Sequence, residues 1–112
     1  MKYYHNPRCS KSRIGLQLLQ DRNIDVEVIE YLKDVPTINE LQELIKLIGI
    51  SPENLLRKGE QAYKDNLKGK NLSDQEILEA MVRFPKLIER PILISSNKAV
   101  IGRPPEKILT IV

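Results

Sequence analysis

The sequence predicts an α/β protein built on a four-stranded mixed sheet, βαβ then ββα, with an all-helical insertion between the halves. Three observations lead there. A strand–helix–strand pattern opens the chain. Helical periodicity with two capping boxes fills the middle. Two short apolar runs and a last helix close it.

Lys2 to His5 reads as a short strand that stops at the turn Asn6-Pro7. A helix opens just after Cys9, with Ile14 and Leu18 four apart on one face and Asn23 as its stop. Val26 to Tyr31 is β-branched and partly alternating, hence a strand. The compact strand–helix–strand order makes these two strands parallel. Thr37 and Glu40 form one capping box, before Leu41, Leu44, Ile45 and Ile48 at helical spacing, and Gly49 ends that helix. Ser51-Pro52 starts a short helix. Lys64 to Asn71 is polar and predicts a loop. Ser73 and Glu76 form the second box, with Ile77, Met81 and Val82 as the buried stripe, and Phe84 also reads as core. Ile92-Leu93-Ile94 and Ala99-Val100-Ile101 predict an antiparallel hairpin, followed by a helix burying Ile108, Leu109 and Ile111. This order is the thioredoxin-like layout, as one domain over 1–112 with an insertion over about 37–89.

Composition narrows the function. The 112 residues are 41% apolar and 29% charged, an ordinary globular balance. Eighteen Lys and Arg against fifteen Asp and Glu leave a net charge of +3. That excess suits a small anionic substrate and is too weak and scattered to call for nucleic acid. With no Trp and one Phe, there is little to stack on bases. No apolar run approaches the roughly 20 residues that span a bilayer, so no membrane association is expected. The first residues lack the apolar core of a signal peptide, which predicts a cytoplasmic protein. The single cysteine excludes an intramolecular disulfide and a multi-cysteine zinc site.

Cys9 sits where a strand hands over to a helix, and the unpaired N–H groups of a helix start favour a thiolate. An ordinary thiol is only about 3% ionised at pH 7, so a lowered pKa changes its reactivity greatly. The alternative is a buried Cys acting as a small apolar group. His5, Arg8, Lys11 and Arg13 lie close in sequence and are expected to add positive field. His5 is placed either to polarise Cys9 or to cap the strand. Cys9-Ser10-Lys11-Ser12 is C-x-x-S, so a resolving thiol must come from another molecule. The phosphatase pattern C-x5-R fails because position 15 is Gly. Arg57, Arg90 and Arg103 each end an apolar segment beside Pro or Gly, or close to one. They are either solvated surface charges or, if they converge, a set of forks for a tetrahedral oxyanion.

Four segments resemble the ArsC family, the glutaredoxin-coupled arsenate reductases. They are Tyr4 to Arg13, Leu55 to Glu60, Leu87 to Ile92 and Gly102 to Glu106, in order and at similar spacing. The resemblance implies a thioredoxin-like core with a helical insertion. It implies that Cys9 is the catalytic thiol, with His5 helping to keep it ionised and Ser12 close by. It implies that Arg57, Arg90 and Arg103 bind the oxyanion, and Asn6 is read with them as substrate-binding. It also implies no bound cofactor, glutathione as co-substrate, glutaredoxin as partner, and a monomer. Two rival readings are a glutathione-dependent thiol oxidoreductase without arsenate activity and a regulator of the Spx type that binds RNA polymerase. Spx-type relatives commonly carry C-x-x-C, against which Ser12 counts.

Overall fold

The computed structural model describes all residues, 1–112. The chain divides into two compact units, one formed by 1–34 with 90–112 and the other by 35–89.

The first unit holds β1 (Lys2–Tyr4), α1 (Ser10–Asp21), β2 (Glu27–Ile29), β3 (Ile92–Ile94) and β4 (Ala99–Ile101). The sheet order is β2-β1-β3-β4. β1 runs parallel to β2 and antiparallel to β3, and β3 is antiparallel to β4. β2 is shorter than the predicted Val26 to Tyr31, because only three residues find register with β1. The last segment, Pro105–Ile111, is a 3-10 helix rather than an α-helix. It buries Ile108 fully, while Leu109 and Ile111 remain half-buried against the core.

That core joins Tyr3, Leu19, Leu93 and Ile108. Tyr3 pairs with Leu93 across β1 and β3, so both side chains leave the same face of the sheet. Tyr4 leaves the other face and stacks on Tyr31, with ring centroids 6.2 Å apart. α1 ends near Asn23, whose φ of 55° provides the left-handed stop expected from the sequence.

The inward face of α1 differs from the expected one. Ser12, Gly15 and Leu19 are buried, whereas Ile14 is 47% exposed. The reason lies at Gly15, where a Cβ would collide with the Tyr3 hydroxyl and touch Ile108 and Pro91. The helix thus approaches the sheet through a residue without a side chain. The Gly15→Ala variant should therefore lose about 1–3 kcal/mol of stability by overpacking. Denaturant unfolding measures it, and Tyr3→Phe in the same chain should restore part of the loss.

The second unit holds α2 (Ile38–Ile48), α3 (Gln61–Asn66) and α4 (Asp74–Arg83), with 3-10 turns at Pro52–Leu55 and Pro85–Leu87. Both capping boxes are formed, at Thr37 with Glu40 and at Ser73 with Glu76. α4 buries Ile77, Leu78 and Met81. Val82 and Phe84 are only half-buried, and the Arg83 guanidinium lies over the Phe84 ring, 5.3 Å from its centroid. α3 overlaps the stretch expected to be loop. It has no apolar stripe to announce it and is held by local bonds, such as Gln61 to Asp65 at 2.8 Å and the Leu67 N–H to the Tyr63 carbonyl at 2.8 Å. An antiparallel bridge between Leu56 and Ile88 ties the two 3-10 turns together. No helix of the chain is long and apolar enough to cross a membrane.

Candidate active site

Cys9 is the N-cap of α1, and its carbonyl accepts the Arg13 N–H at 3.0 Å. The turn before it is built from side-chain and backbone bonds. The Asn6 carbonyl accepts the Cys9 N–H at 3.0 Å, and the Asn6 side chain accepts the Arg8 N–H at 3.0 Å. Arg13 reaches back to the Pro7 carbonyl at 2.8 Å. Arg13 therefore braces the loop, and Asn6 shapes it.

The sulfur is half-buried and free of any disulfide. Burial pushes the Cys9 thiol up, but this is outweighed. The Ser12 backbone N–H, the Arg90 guanidinium by hydrogen bond and by charge, and the Lys11 backbone N–H together hold it below its ordinary value. Lys11 thus acts through its main chain.

Ser12 is fully buried and ties the site together. Its hydroxyl lies 2.7 Å from His5 Nδ1 and accepts the Asn6 N–H at 3.0 Å. Which of the two atoms donates in the His5–Ser12 contact follows the tautomer of the ring. Burial lowers the His5 pKa, opposed by Glu30 and reinforced by Arg13. His5 is therefore neutral at pH 7, and the expected positive field from this ring is corrected to a hydrogen bond through Ser12.

Arg90 and Arg103 are brought together by packing. The Gly102 N–H donates to the Pro91 carbonyl at 2.8 Å, and a Cβ on Gly102 would stand 2.8 Å from Pro91 and from Ile108. Only glycine lets the two segments approach so closely. Arg103 Nη1 then donates to the Arg90 carbonyl at 3.1 Å. Both arginines precede a cis proline.

Arg57 belongs to the helical unit. Its N–H donates to the Leu87 carbonyl at 2.7 Å, and its guanidinium lies 3.7 Å from each of Glu60 and Glu89. The sheet unit therefore assembles Cys9, His5, Asn6, Ser12, Arg90 and Arg103, and Arg57 is carried separately. Sequence reading passes over Tyr3, whose hydroxyl donates to the Ser12 carbonyl at 2.6 Å. The available signals are a strand tyrosine, which needs a partner for its hydroxyl once buried, and a glycine inside a helical pattern. No three His, Cys, Asp or Glu side chains gather as a metal site.

A poised sulfur at the start of the first helix, beside a β2-β1-β3-β4 sheet, defines a thioredoxin-like thiol protein. The comparisons with known proteins sharpen that class. The chain belongs to the ArsC family, whose sequence pattern matches residues 4–111. The uncharacterized protein YfgD of Escherichia coli (strain K12) is 46% identical, over 100% of this chain and 96% of its own. The arsenate reductase of Haemophilus influenzae is 44% identical, over 96% of this chain and 95% of its own. The solved arsenate reductase from Vibrio cholerae has a TM-score of 0.95 at 43% identity, covering 99% of this chain and 96% of that one.

Proposed function

We propose that this chain is an arsenate reductase that works through the single thiol of Cys9. The observation that carries the reading is the half-buried sulfur, held below its ordinary pKa by Arg90 and two backbone N–H groups. Family membership and the arsenate reductases among the relatives support it.

In this reading arsenate binds to Arg90, Arg103 and Asn6 of the sheet unit. Bidentate guanidinium bonds match its tetrahedral oxygens. The Cys9 thiolate attacks arsenic, and water or hydroxide leaves. His5 and Ser12 keep the first turn of α1 in place. Glutathione then attacks the cysteine sulfur of the adduct. Arsenic takes the electron pair of the breaking S–As bond and departs as arsenite, while Cys9 and glutathione are left as a mixed disulfide. Glutaredoxin resolves it. An outside thiol is required because Cys9 is the only cysteine and the C-x-x-S partner position is the buried Ser12. The reading carries with it one ArsC-type domain, a monomer, no bound cofactor and a cytoplasmic location, where small thiols keep Cys9 reduced.

The test is arsenite formation by the purified full chain with glutathione and glutaredoxin. Arsenite should accumulate, and phosphate, of the same shape and charge, should compete. Oxidation of glutathione without arsenite would instead favour the thiol oxidoreductase reading.

A further inference from the structure

We propose that Tyr3 is a positioning residue for the Cys9 thiolate. Its buried hydroxyl fixes the first turn of α1 through Ser12, so that the Ser12 and Lys11 N–H groups converge on the sulfur. The proposal rests on Cys9 being the reactive thiol.

Tyr3 and Ser12 are both fully buried, and the Tyr3 hydroxyl donates to the Ser12 carbonyl at 2.6 Å. The Leu16 N–H also reaches that hydroxyl. In an uninterrupted helix the Ser12 carbonyl and the Leu16 N–H are partners of each other. Here a phenol from β1 also bonds the Ser12 carbonyl, and Gly15 leaves the room for it. Burial pushes the phenol far above its ordinary pKa, and the nearby charge of Cys9 adds to this, so Tyr3 stays a donor.

Ser12 meets the rest of the site at every polar atom. Its carbonyl takes Tyr3, its hydroxyl takes His5 and Asn6, and its N–H favours the thiolate. A displacement of this one residue therefore reaches the sulfur. The groups that face Cys9 are Arg90 from the segment before β3, Tyr3 from β1 and the helix N–H groups. His5 reaches it through Ser12, with Glu30 and Arg13 acting on His5.

The experiment is the pH dependence of iodoacetamide alkylation for the wild-type chain, Tyr3→Phe and Gly15→Ala, with unfolding curves alongside. Cys9 is the only cysteine, so the signal belongs to it alone. Tyr3→Phe should raise the apparent thiol pKa by about half a unit, roughly a threefold loss of thiolate on the acid side. Gly15→Ala, which pushes the hydroxyl away, should move it in the same direction. The two together should move it no further than the larger single change. A purely structural Tyr3 would lower stability and leave the titration where it was. A depressed wild-type value that Tyr3→Phe shares overturns the proposal and leaves the thiol reading standing. A wild-type value at or above 8.5 overturns both. If Tyr3→Phe does not fold, the Gly15→Ala titration decides in the same way.

Discussion

Replacing Cys9 by serine should abolish arsenite formation, by at least about a thousandfold, while the protein stays folded. A serine hydroxyl is not ionised at neutral pH and cannot supply the sulfur that arsenic and glutathione must share. The fold should tolerate the change because Cys9 makes no side-chain cap bond to α1. Serine is among the preferred N-cap residues, so stability should hold or rise by up to about 1 kcal/mol. Activity and stability then move in opposite directions, which a general unfolding effect cannot produce. Arsenite formation and a denaturant melt on the same sample check this. Retained activity in Cys9→Ser would end the mechanism proposed above.

The second large effect is expected at Arg90. This guanidinium reaches the sulfur by hydrogen bond and by charge, and both favour the ionised thiol. Arg90→Leu should raise the thiol pKa, so the thiolate fraction at pH 7 falls and the alkylation curve moves to higher pH. In the mechanism proposed above Arg90 also binds the oxyanion, and losing such a donor should cost a further factor of about a hundred to a thousand. Arsenate turnover should therefore fall by more than the thiolate fraction does. Arg90→Lys keeps a positive charge without the planar fork. It should recover more of the alkylation curve than of the turnover. If Arg90→Leu leaves the alkylation curve where the wild type has it, Arg90 does not act on the sulfur.

How much of this was legible in the sequence depended on range. The two capping boxes were readable because their bonds join residues three apart. The start of α1 at Cys9 and the hairpin of β3 and β4 were readable for the same local reason. The inward face of α1 was misread because its tight contact is made by Gly15, which carries no hydropathy signal, against Tyr3 far along the chain. α3 escaped because its helix is short, mostly polar and buries no residue fully. The charge state of His5 could not be read, since it follows from burial that only the folded chain creates. Arg90 and Arg103 stand out as residues beside prolines, but their approach to each other depends on Gly102 packing against Pro91.

Strand β1 draws one neighbour from nearby and the other from beyond the whole helical insertion. On the ribosome, the residues of β1, α1 and β2 are made first, Cys9 among them. The guanidinium that tames it is translated only after the insertion is complete. The newborn chain therefore carries its sulfur for most of its synthesis before the arginine that lowers its pKa has been added.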